Sequence, residues 1–232
     1  MKHIGLASAL LLTLCLSSCL IQKRKDVDTA EITKNVTTSE FSSISIAGAY
    51  SLVYRQGDSC SVTMSGPKNL LDRVKVSHEG ETLSIRHEDH SFTNMFGRKS
   101  MVTVYVTSPL LTEIVLAGTG NFNVADTMAV KKLNFNLSGA GSVNIDHLKC
   151  DTLQMNVSGA ANMTLGLHDC HYSGINMQGA GNADVNYVNC GLSVCTIAGA
   201  GNMTLSGDLT NLVENKSGVA SIRKQDLRIK EK

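Results

Sequence analysis

From Phe41 onward the chain alternates apolar and polar residues over long stretches. FSSISIAGAYSLVY, SVTMSG, RVKVS, TLSIRHE and MVTVYVTS all carry period two, the pattern of strands with one buried face. GPKNLLDRV reads as a helical turn, and residues 88–100, EDHSFTNMFGRKS, read as a polar protruding loop. From Thr112 the alternation is organised into a repeat. Its glycines fall at Gly118, Gly139, Gly159, Gly179, Gly199 and Gly218, with spacings of 21, 20, 20, 20 and 19. A period this regular governs the fold.

Aligned on that glycine, even positions are apolar and odd positions polar. Two before it stand Leu116, Leu137, Val157, Met177 and Ile197; four after it stand Phe122, Val143, Met163, Ala183 and Met203. Three before it are Asn136, Asn156, Asn176 and Thr196, and five after it are Asn123, Asn144, Thr164, Asp184 and Thr204. This is strand, bend, strand, with the even face inward. A unit of about 20 residues cannot bury such a face alone and must stack on its neighbour. The expected fold is therefore all-β: a single-stranded parallel β-helix, or β-solenoid, of about 20 residues per coil. Right-handed winding is the expected hand. Roughly nine coils would make a rod ~45 Å long.

Stacking places like residues in columns. The Gly-x-Gly pairs mark bends with no room for a Cβ. The column three after the glycine holds Asn121, Asn162, Asn182 and Asn202, with Ser142 and Ser221. It reads either as an amide ladder bonded along the stack or as Asn tolerating a turn conformation. A third column holds Cys150, Cys170 and Cys190. Its aliphatic neighbours place the thiols inside as small hydrophobes. A disulfide between neighbours stays open on Cα distance, although parallel Cβ vectors suit it poorly. A linear stack lacks the converging ligands of a metal centre. Cys60 and Cys195 complete an odd set of five outside residues 1–19, so at least one thiol stays unpaired.

The two ends differ from the repeat. Residues 214–232 put Glu214, Lys216 and Lys224 in apolar columns and read as a C-terminal cap whose charge blocks edge pairing. Residues 1–18 combine Met1-Lys2-His3 with an apolar run and read as a signal peptide. Leu16-Ser17-Ser18-Cys19 resembles a bacterial lipobox, which implies cleavage before Cys19 and its acylation. Residues 19–39 then form the lipid anchor and a flexible tether, and residues 40–232 the β-helix domain. Within that domain, 40–111 are irregular N-terminal coils and 112–213 the regular repeats.

Composition narrows the function. The 232 residues contain no Trp, 2 Pro and 20 Gly, and aromatics make up 4%. Removing residues 1–18 takes away one Lys and no acid, leaving 20 basic and 20 acidic residues. With Lys23-Arg24-Lys25 the longest basic run, nucleic acid is not an expected partner. His168-Asp169-Cys170-His171 resembles a ligand set, but alternation puts His168 and Cys170 on one face and Asp169 and His171 on the other. Asp146, Asp184 and Asp208 fall in different columns, and no Ser/His/Asp set follows from spacing. Tyr172, Tyr187, Phe92 and Phe96 are the aromatic candidates for an exposed surface. No catalytic residue, metal or cofactor is expected.

FSSISIAGAYSLVYRQGD, SGPKNLLDRVKV, ETLSIRHE and the tandem SGAGN-type repeats resemble the head GIN domain family of auto-transporter adhesins, over about residues 40–225. The resemblance implies a parallel β-helix in the cell envelope of Bacteroides-like bacteria and carries no catalytic residues. Asp28-Thr29-Ala30, Asp126-Thr127-Met128 and Asp151-Thr152-Leu153 also resemble the Asp-Ser/Thr-aliphatic O-glycosylation pattern of such bacteria. The expected function is that of a lipid-anchored, non-enzymatic adhesin or binding module at the outer membrane. Its expected partners are the membrane through the N-terminal lipid, and a glycan, envelope or host protein. The alternative is an envelope enzyme that processes polysaccharide in a lateral groove.

Overall fold

The structure is a computed structural model that describes residues 30–88 and 101–230. The signal peptide, Cys19 and most of the proposed loop at 88–100 lie outside the described residues. The described chain is all-β. Its strands are β1 (Glu31–Val36), β2 (Ser43–Gln56), β3 (Ser61–Pro67), β4 (Val74–Glu79), β5 (Thr82–His87), β6 (Val102–Ser108), β7 (Glu113–Val124), β8 (Met128–His168) and β9 (Tyr172–Ile229). A single helical turn, α1 (Lys68–Leu71), follows β3 and buries Leu70 and Leu71.

β2, β7, β8 and β9 run side by side in parallel. β7 pairs with β8 from Glu113↔Asn134 to Asn123↔Asn144. β8 pairs with β9 from Thr152↔Tyr172 to His168↔Val188. In both ladders the offset equals one spacing of the repeat glycines, so equivalent residues of successive repeats stand side by side. A straight strand of β9's length would reach ~190 Å. The glycines instead approach one another in sequence order. A Cβ built on Gly159, Gly179, Gly199 or Gly218 would meet the backbone of the preceding glycine of the series. The long strands therefore bend and return upon themselves.

The even positions form the core. Ile114, Phe135, Met155, Ile175 and Cys195 are buried in one file, and Phe122, Val143, Met163, Ala183 and Met203 in another. Phe122 and Phe135 meet at a ring-centroid distance of 5.3 Å. Side chains of this kind each contribute about 1.5–3 kcal/mol when fully buried.

The N-terminal part departs from the expected coils. β1 is antiparallel to β3, β3 to β6, and β4 to β5. β4 and β5 form a hairpin closed at Gly80, whose φ of +61° supplies the left-handed turn. Residues 31–36, read from sequence as tether, are strand β1, because the backbone of EITKNV completes the open edge of β3. A uniform series of nine coils is likewise not what the N-terminal third contains.

Candidate binding surface

The glycine column is the inner frame of the surface. Gly118 pairs with Gly139, and Gly159 with Gly179. Gly139 has φ +140°, and a Cβ there would lie 2.8 Å from the carbonyl carbon of Gly118 and still closer to its oxygen. The backbones touch where side chains would otherwise stand, so neighbouring strands bend together. The column has one further member. Gly48, at φ +140°, pairs with Gly118 in the β2–β7 ladder, although β3 to β6 separate the two in the chain. IAGAY at residues 46–50 matches LAGTG at 116–120, and that likeness was the available signal.

Beside the bend, Asn121 accepts from the Ser142 hydroxyl (2.6 Å), and Asn202 accepts from Ser221 (2.7 Å). Between them the amide nitrogens of Asn182 and Asn202 donate to Asn162 (3.4 Å) and Asn182 (3.2 Å). These exposed groups form two bonded runs along the stack, Asn121 with Ser142 and Asn162 through Ser221.

Two outer grooves run across several repeats. The first, of about 420 Å3, is lined by Val115 to Ala117, Asn136 to Ser138, Asn156 to Ser158, and Asn176 with Gln178. It contains no ionisable side chain. Asn156 donates to Asn136 at 3.0 Å. Asn176 Oδ1 is buried and has no hydrogen-bond partner among the described residues.

The second groove, of about 430 Å3, holds Asp146, Asp184 and Asp226 with His147 and His168. The two imidazoles meet at 3.2 Å through Nδ1 of His147 and Nε2 of His168. Among the described residues no group of three or more His, Cys, Asp or Glu could hold a metal ion. The expected pairing of His168 with Cys170 on one face does not occur. Asp169 adopts φ +52° and interrupts the alternation, so Cys170 is buried while His168 turns out against His147. His171 is well exposed and faces Asp151 at 3.6 Å. Asp169 sits between Asn189 and Lys149, whose bonds hold its carboxyl below the usual range. Asp208 stands apart from this groove and is held low mainly by its ion pair with Lys230.

The thiols lie inside. Cys150, Cys170, Cys190 and Cys195 are buried and free, and Cys60 is half-buried and free. The Cys150 thiol donates to Cys170 Sγ at 3.5 Å; that bond and burial push its titration up. Burial likewise raises Cys190 and Cys195.

Tyr187, expected among the exposed aromatics, is fully buried. It stands eight after Gly179, an even position, and pairs with Leu167. Parity could have placed it. Its hydroxyl meets Ser193 Oγ at 2.8 Å and Cys195 Sγ at 3.3 Å, and Ser173 donates to Ser193 at 2.8 Å. This polar knot sits in the core with its hydroxyls mutually satisfied. Tyr172 is exposed at the start of β9, and Phe92 and Phe96 lie outside the described residues.

Toward the end of β9, Glu214, Lys216 and Lys224 are exposed, and Lys224 pairs with Glu214 at 3.2 Å. No helix among the described residues is long and apolar enough to cross a membrane.

These features define an all-β protein with strands in parallel at a fixed sequence offset and polar ladders along its outside. The chain belongs to the family described as "Putative auto-transporter adhesin, head GIN domain", which matches residues 40–166. No curated protein matches it. Among solved structures it is similar to a "putative adhesin" from Bacteroides fragilis, with TM-score 0.67 and 20% identity over 86% of this chain and 99% of that one. A "putative lipid binding protein" from Parabacteroides distasonis superposes with TM-score 0.56 and 16% identity, over 84% of this chain and 96% of the other. A "putative adhesin" from the same species gives 0.51 and 17%, over 86% and 98%. At these identities the likeness concerns the fold.

Proposed function

We propose that the chain is a non-catalytic adhesin module of the cell envelope. In this reading it is a right-handed parallel β-helix with one sequence repeat per coil. Residues 1–18 are removed, lipid on Cys19 holds the protein at the outer membrane, and the segment before β1 serves as a short tether. The long outer faces present the binding surface, to a glycan or to an envelope or host protein.

The observation that carries the reading is the constant parallel offset of one repeat, which sets the same uncharged polar side chains one beside another along one side. Such a surface offers many equivalent weak contacts to an extended ligand and no single reactive group. The family's description as an adhesin head agrees with it. The groove with Asp146, Asp184 and Asp226 favours the second reading, polysaccharide processing by carboxylates.

A glycan array read beside a sugar-release assay on the same glycans separates the two. The adhesin reading predicts retention without released sugar. Release that is abolished by Asp184→Asn or Asp146→Asn would establish the enzyme. Cys19→Ser is expected to move the protein from the membrane to the soluble fraction, and unchanged fractionation would remove the lipid anchor from the account.

A further inference from the structure

The two grooves differ in charge, and that difference selects a ligand for one of them. The first groove crosses four successive repeats, in β7, β8 and β9, at equivalent positions before the glycine. Its floor is the file Asn136, Asn156 and Asn176, and its rim is Ser138, Ser158 and Gln178. In a chain with 18% charged residues, an open groove over four repeats with none is a selective feature. Amides and hydroxyls both donate and accept, which matches a ligand with closely spaced hydroxyl groups. An anionic chain would find no cation here, and a basic peptide no carboxylate.

The floor is also incomplete. Asn156 donates to Asn136, but that ladder does not continue to Asn176, whose Oδ1 is buried and lacks a partner among the described residues. The Asn176 side chain is therefore not committed to the Asn136–Asn156 ladder. Three strand spacings give the groove a length of ~14 Å, room for a short run of sugar rings lying along the stack. The half-buried, outward-facing Val115 supplies an apolar contact for a ring face at one end.

Resting on the adhesin reading above, we infer that this groove binds an uncharged glycan chain along the stacking direction, with Asn156 and Asn176 as its central contacts. The test is affinity electrophoresis of the full chain in detergent through gels containing dextran, mannan or amylose, with polygalacturonate as the anionic probe. The expected result is retardation by at least one neutral polymer and none by polygalacturonate. Asn156→Asp or Asn176→Asp should weaken retention about tenfold, while Asn186→Asp in the second groove leaves it unchanged. Thermal melts check folding, and Ser158→Asp on the exposed rim offers a variant that spares the ladder.

Neutral-glycan binding that survives Asn156→Asp and Ser158→Asp but falls with Asn186→Asp overturns the assignment and leaves the adhesin reading intact. Sugar release from the gel polymer overturns the adhesin reading instead. No retardation by any neutral polymer, retardation by polygalacturonate alone, or self-association of the chain through this face in sedimentation also overturns the assignment.

Discussion

Gly139→Ala is the sharpest perturbation of the frame. The residue has φ +140°, a region closed to a side chain, and its new Cβ would press into the Gly118 peptide, 2.8 Å from the carbonyl carbon and 3.1 Å from the nitrogen. Backbone strain of this type costs about 1–3 kcal/mol, and overpacking against an unyielding group another ~1–3 kcal/mol. The sum, ~2–6 kcal/mol, is a large part of the roughly 5–15 kcal/mol that holds a typical domain. Gly80→Ala is the matched control, because Gly80 is also left-handed (φ +61°) but has nothing within 4 Å of the new Cβ. It should cost only the ~1–2 kcal/mol of a left-handed Ala. Urea unfolding at equal protein concentration reads both. With a slope of ~2–3 kcal/mol/M, Gly139→Ala should lower the midpoint by about 1–2 M and Gly80→Ala by about 0.5 M. Equal midpoints for the two variants would refute the claim that backbone-to-backbone contact at the glycine column sets the bend.

The buried polar knot gives a second prediction: Tyr187→Phe removes one hydrogen bond of Ser193, which keeps Ser173 and Cys195 as partners, and should cost about 0.5–1.5 kcal/mol, read as a lower melting temperature. The thiols give a third. Burial raises Cys190 and Cys195, so the folded state keeps protons that the unfolded chain loses above pH ~8.5. That stability is complete below pH ~8.5 and declines as pH rises through the raised folded values. Cys190→Ala should flatten the decline in urea midpoints measured between pH 8 and 10. Fourth, peptide-mapped alkylation of the native protein should label half-buried Cys60 ahead of Cys150, Cys170, Cys190 and Cys195; equal labelling would place those four at the surface.

The all-β fold and the pairing offset were legible because alternation and repeat period report one physical fact, a buried face shared with the next copy. The N-terminal third was less legible. EITKNV has no apolar period of its own and becomes strand β1 only because β3 leaves an edge to fill. The β4–β5 hairpin interrupts the equivalence of Gly48 and Gly118, so the first member of the glycine column hid behind the strands that intervene in the chain. Tyr187 was misread by residue type where its even position held the answer. His168 was misread by parity, because the left-handed Asp169 breaks the alternation on which parity depends. Neither groove was visible in sequence, since a groove depends on how the sheet curves. The charge-free file at Asn136, Asn156 and Asn176 was present there as a column of like residues.

The central claim is that each repeat lies on the one before it, in register. Spin labels placed in pairs on the outward-facing position before the glycine test this directly: Ala117 with half-buried Ala198, and Ala117 with Ser217. Four and five strand spacings predict separations of about 19 and 24 Å, a growth of one strand spacing per repeat. Distances that do not increase by that step, or that scatter widely, would contradict the stacked arrangement and the binding surface built on it.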